Sequence, residues 1–255
     1  MFGPLVNCSW RKILLALILK GMITQSFSTS IIAVRTATTL YLSAESLQGT
    51  WNGPEKWFGC KIHESNHVFS AYARVIGISG TKFDLVTIGR DEMAKKGTIR
   101  VRVNRFANVT RVQLEKEMTN FRDKNPAIFA AQNIPETVIS NAVFVGFENG
   151  RPKLFLRWFV LHIVHDKIVA EIKSRDCPGD CESGTAQVAM GFTDIIDHEI
   201  QIHPDIWEQR GFPEGIKYLI QAEAGAHPDD VGGPIAVLMI DSAGPRWIDY
   251  GSCKP

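Results

Sequence analysis

An α+β sandwich, with helices covering packed sheets, is the fold class this sequence predicts. Predicted strands and helices come in blocks, in the order strands, two helices, strands, two helices, two strands, rather than in βαβ alternation. The centre of the chain carries a strong hairpin signal, with the largely apolar runs 142–147 and 152–159 flanking Glu148-Asn149-Gly150. No internal repeat, linker or low-complexity stretch interrupts the pattern, so one domain is expected.

Ser30 to Arg35 and Thr39 to Ala44 read as adjacent strands, rich in Ile, Val, Thr and Tyr, joined by a tight turn near Thr36-Ala37. Lys61-Ile62 and Val68 to Ala71 continue the strand pattern. A first helix is expected from about Lys82 to Lys95, where Phe83, Val86 and Met93 share a face, although Gly89 weakens it by roughly 1 kcal/mol of propensity. A second is expected from Val109 to Arg122, capped by Asn108, with Leu114, Met118 and Phe121 at helical spacing and Pro126 set against its extension. After the hairpin come strands at 167–172 and 186–190 and helices at 194–199 and 214–224. The chain closes with Pro234 to Asp241, a Ser242-Ala243-Gly244 turn, and Arg246 to Tyr250.

Residues 1–28 read as an export signal. Trp10-Arg11-Lys12 supplies a positive start, Ile13 to Leu19 an apolar run too short to span a bilayer, and Ser26-Phe27-Ser28 small residues where a signal peptidase reads. Lys20 interrupts this run, and an uncleaved amphipathic tail is the alternative. Cleavage would leave residues 29–255 as the mature domain, periplasmic or secreted. Lys and Arg number 28 against 27 Asp and Glu, for a net charge of +1, which argues against nucleic acid or an anionic membrane as main partner. Four cysteines follow the signal, and an even count in an exported chain favours disulfides. We expect a local Cys177–Cys181 bridge around the Pro-Gly turn and a long-range Cys60–Cys253 bridge, with structural zinc as the rival reading.

Thr29-Ser30-Ile31-Ile32, Ser43-Ala44-Glu45-Ser46 and Cys60-Lys61-Ile62, with Glu45 and Lys61 at offsets 16 and 32 from Thr29, resemble the opening of a proteasome β subunit. The resemblance implies the four-layer αββα fold of the N-terminal-nucleophile hydrolases, with two packed antiparallel sheets covered by helices. It also implies that a cut makes Thr29 the first residue, so that its own amine is the base for its hydroxyl. Such an amine, with a pKa of roughly 8, can take the hydroxyl proton at neutral pH. Lys61 would favour the unprotonated amine and stabilise the alkoxide, Glu45 would hold Lys61, and a backbone N–H near Ala73 would serve as oxyanion donor. Ala189-Met190-Gly191 looks like the family's glycine turn, and Asp229 or Asp230 stands where the family carries an aspartate.

Three departures stand beside the resemblance. Glu45 replaces the family's aspartate, Phe192 stands where a serine helps order the amine, and Gly232 or Gly233 occupies the place of a second serine. The expected function is therefore hydrolysis of a peptide or small amide, without cofactor or metal, or alternatively an inactive member of the fold acting as a binding or assembly module. Homo-oligomerisation is left open. His63-Glu64-Ser65-Asn66-His67 matches the zinc-peptidase pattern His-Glu-x-x-His, which requires a helix that Ser65-Asn66 and the strand-like flanks disfavour. His198-Glu199 and His203 are one residue too far apart for that pattern, and read as surface or capping residues.

Overall fold

The computed structural model describes residues 29–49, 56–78, 81–131, 136–181 and 184–254, and the expected signal, residues 1–28, lies outside them. Two five-stranded antiparallel sheets form the centre. The first has the order β10-β1-β2-β11-β12, built from Ala186–Gly191, Ser30–Arg35, Leu40–Glu45, Ile235–Asp241 and Gly244–Asp249. The second has the order β5-β6-β7-β8-β9, built from His63–Ser65, Val68–Arg74, Val138–Glu148, Arg151–Val164 and Lys167–Cys177. Helices α1 (Leu85–Ala94) and α2 (Ile99–Lys124) cover the second sheet, with the short α3 (Pro126–Ala131) following them. Helices α4 (Asp194–Ile202) and α5 (Ile206–Ala226) cover the first.

Period-two alternation explains the layering. In β1, Ile31 and Ala33 enter the core between the sheets, while Ile32 and Val34 face α4 and α5. In β7, Val143 and Val145 join the inter-sheet core, whereas Ala142 and Phe144 face α1 and α2. Strands with both faces covered must be apolar on both, and β1 is buried throughout. Each such Ile or Val contributes about 1.5–3 kcal/mol on burial, so a one-residue register slip, which exchanges the two faces, is disfavoured by packing.

Several boundaries differ from those the sequence predicts. Helix α2 starts at Ile99 rather than near Val109, because Ile99, Val103, Phe106 and Ala107 extend the apolar stripe and the Thr98 hydroxyl caps the Val101 N–H. Asn108 lies inside this helix and caps nothing. Lys61-Ile62 is a connection ahead of β5 rather than strand. Helix α5 has an additional first part, broken from the second at Gly211 (φ +70°), with Pro213 just beyond the break. A two-stranded ribbon, β3 (Leu47–Gly49) with β4 (Lys56–Phe58), was not foreseen.

The hairpin at Asn149-Gly150 is present, with both residues at positive φ. Both expected disulfides are formed, Cys60–Cys253 and Cys177–Cys181. The zinc-peptidase reading is overturned: His63 and Glu64 lie in β5, and Asn66 and His67 (φ +49° and +59°) form the turn into β6, so the histidines are not one helical turn apart. His198 and Glu199 lie on α4 and His203 follows its end, with the Glu199 carboxylate accepting a bond from the Tyr218 hydroxyl at 2.6 Å. Among the described residues, no helix is long and apolar enough to cross a membrane.

Candidate active site

The site forms where β1 begins and β2 ends. Antiparallel pairing sets Ile31 against Ala44, and this register brings Ser30 beside Glu45. The segment after Cys60, tied to the chain's end by the Cys60–Cys253 bond, carries Lys61 to the same point. Lys61 Nζ donates to Thr29 Oγ1 at 3.0 Å and to Glu45 Oε1 through a short ion-paired contact. Thr29, Glu45 and Lys61 are all buried, at 0%, 1% and 6% exposure, and water therefore competes little with these contacts.

Glu45 is saturated with donors. Besides Lys61, Oε1 accepts the Ser30 N–H at 3.2 Å, while Oε2 accepts the N–H groups of Leu47 at 2.7 Å and Gly232 at 3.4 Å. A buried carboxylate costs several kcal/mol unless it is paired and hydrogen-bonded, and this one is both. Burial pushes Lys61 below the ordinary lysine range against the pull of Glu45, and pushes Glu45 upward against Lys61 and these backbone donors. Glu45, where the resemblance led us to expect an aspartate, thus accommodates its added methylene and keeps contact with Lys61.

On its other side Thr29 is held by main chain. Its carbonyl accepts the Phe192 N–H at 2.9 Å, and the Ser30 hydroxyl donates to the Phe192 carbonyl at 2.9 Å. Gly191 makes this approach possible: its φ is +92°, and a Cβ there would fall 1.6 Å from the Thr29 carbonyl oxygen. The expected glycine turn is therefore present. Gly233 is also sterically required, with φ +79° and a Cβ position 2.5 Å from the Phe58 ring and 2.7 Å from Ser46 Oγ, so a serine does not fit there.

Asp229 and Asp230 are not part of this arrangement. Asp229 is exposed and pairs with Lys56 at 3.2 Å, and Asp230 is half-buried, its N–H bonded to the His227 carbonyl at 3.0 Å. From their loop it is the Gly232 N–H that reaches Glu45.

Ala73 lies close by, its Cβ 3.6 Å from the position a Cβ on Gly191 would take. Its own N–H is directed elsewhere. The tight turn at 66–67 closes on the Ser65–Val68 pair, and the Val75 N–H donates to the Ile139 carbonyl, so antiparallel alternation turns Ala73 toward Asn141 in β7. The neighbouring N–H of Arg74 faces the opposite way. Arg74 sits at φ +68°, a conformation that non-glycine residues adopt at a cost, and it lines a cavity of about 350 Å³ with Gly191, Phe192 and Thr193. A second cavity, of about 200 Å³, opens beside Lys61 and is lined by Gln48, His63, Tyr72 and Asp84 among others.

Sequence reasoning missed the backbone partners Ser30, Leu47, Phe192 and Gly232, since a main-chain donor leaves no residue signature. It also missed Arg74, whose only sequence signal is its position just after Ala73.

The two packed antiparallel sheets, each covered by helices, form a four-layer αββα sandwich. No family model and no curated protein matches the sequence. Among solved structures it is similar to the Anbu (Gly-1) mutant from Hyphomicrobium sp. strain MC1, at 13% identity over 87% of each chain with a TM-score of 0.50. The chain shares the fold of that protein.

Proposed function

We propose that the protein is an amide-bond hydrolase whose nucleophile is Thr29 Oγ1, activated when removal of residues 1–28 in an exported protein frees the Thr29 amine. The observation that carries this reading is the buried Thr29–Lys61–Glu45 chain of contacts. In the uncut chain the Thr29 nitrogen is an amide and has no basic lone pair, so cleavage creates the base. The freed amine takes the hydroxyl proton as Oγ1 attacks the substrate carbonyl carbon. It then returns that proton to the leaving amine, and water hydrolyses the resulting ester.

Lys61 donates to the developing alkoxide and, as a neighbouring cation, lowers the amine's proton affinity. Glu45 keeps Lys61 oriented. The Arg74 N–H is the oxyanion donor of this reading, in the place where Ala73 was expected. Substrate is a peptide or small amide, one group of which enters the cavity beside Lys61.

The inactive alternative draws on Phe192 and Gly233, neither of which supplies a hydroxyl to the amine. Thr29→Ala in the mature protein is expected to abolish hydrolysis of peptide or amide substrates, and Thr29→Ser to retain part of it. Undiminished activity in Thr29→Ala would place the site elsewhere. A mature, folded wild type that hydrolyses nothing would favour the binding module.

A further inference from the structure

We propose that Asp194, Glu223 and His227 form a binding site for a divalent transition-metal cation of the zinc class. Asp194 opens α4, while Glu223 and His227 stand one turn apart at the end of α5, so the three converge from two helices. One ligand atom from each lies within 4.8 Å of the others. His227 Nε2 is 3.2 Å from the Asp194 carboxylate and 3.4 Å from Glu223 Oε1. Two ligands at ordinary zinc distances, seen across a tetrahedral angle, are about 3.4 Å apart, so these separations are those of a tetrahedron's edges.

The independent pointer to a ligand is Glu223 itself. Its side chain is fully buried, and Oε2 accepts the N–H groups of Ile195 and Ile196 at 3.1 Å each, capping α4 from outside where Thr193 makes no side-chain cap. Oε1 is buried, accepts no hydrogen bond of good geometry and is aimed into the cluster, with His227 Nε2 at 3.4 Å its nearest cationic neighbour. A desolvated carboxylate oxygen in that position calls for a cation. A protonated His227 carries only one hydrogen on Nε2, and that nitrogen lies nearer to Asp194. A metal ion can satisfy all three atoms together.

One imidazole nitrogen with two carboxylate oxygens suits zinc-class ions better than magnesium or calcium, which prefer an all-oxygen shell. Asp194 and His227 are partly exposed, at 65% and 30% of the side chain, which leaves an entry path and room for water at a fourth position. The site would also bear on Thr29. Phe192, whose backbone holds the Thr29 carbonyl, precedes Asp194 by two residues and packs its ring 5.2 Å from that of His227.

The test uses purified protein stripped with EDTA, titrated with Zn²⁺ against a chromophoric chelator and with Co²⁺ by visible absorption. We expect one ion per chain, tetrahedral Co²⁺ bands, and a melting temperature that rises with Zn²⁺. Asp194→Asn and His227→Gln, both at partly exposed positions, should each weaken Zn²⁺ by at least roughly tenfold, the lower end of what even an outer-shell change costs a metal site. His203→Ala should leave binding unchanged. Absence of binding in the wild type, or affinity that persists in the Asp194→Asn/His227→Gln double variant, would overturn the proposal.

Discussion

The two sides of Thr29 are built from different material. On the side of β2 and the segment after Cys60, charged side chains do the holding: Lys61 contacts Oγ1 and Glu45 contacts Lys61. On the side of Gly191 to Thr193 and Gly232-Gly233, main-chain groups do it, with Phe192 N–H on the Thr29 carbonyl and Gly232 N–H on Glu45. The first side needs particular residue types, because only a cation and an anion supply that chemistry. The second needs particular backbone conformations, which is why glycine is required at 191 and 233 while Phe192 contributes only its main-chain groups. Thr29 is therefore held from both sides without a hydroxyl from position 192 or 233.

The largest effect is expected from breaking the charged side. Lys61→Met leaves Glu45 buried without its cation and should cost about 3–5 kcal/mol in urea unfolding, whereas the Glu45→Gln/Lys61→Met double variant should recover most of that loss. A single variant as stable as wild type would mean that the pair is not buried together. Next comes the backbone side, where Gly191→Ala drives a methyl into the Thr29 carbonyl at a positive φ and should cost roughly 3 kcal/mol or more. Phe192→Ser keeps the N–H and should be far milder. Equal losses in these two variants would contradict the main-chain account. Smallest is Asp229→Asn, which removes an exposed pair with Lys56 and should change stability by no more than about 1 kcal/mol and hydrolysis not at all. A large loss of hydrolysis there would return Asp229 to the site.

The same division explains what was legible in the sequence. The layer order could be read from blocks of period-two and helical patterning, and the charged trio from residue types at family spacing. Helix α2 was read ten residues short, because Arg100, Arg102 and Arg105 interleave its first apolar positions and obscure the stripe. Asp229 and Asp230 carry the residue type expected near the site, but the group of their loop that reaches it is the Gly232 N–H, which has no residue signature. The opposite directions of the Ala73 and Arg74 N–H groups were not legible, since strand alternation about a left-handed Arg74 cannot be seen without the pairing. The Asp194, Glu223 and His227 cluster was hidden because its members are separated by a helix and a kink at Gly211.

The central claim is that cutting before Thr29 creates the nucleophile and its base together. It is tested most directly by treating protein recovered from its native compartment with a hydroxyl-directed electrophile, then reading the intact mass and mapping the adduct. The account predicts a chain that begins at Thr29 and carries one adduct, on Thr29, which is absent after Thr29→Ala. A chain that keeps residues 1–28, or one that begins at Thr29 and leaves it unmodified while other residues react, would contradict it.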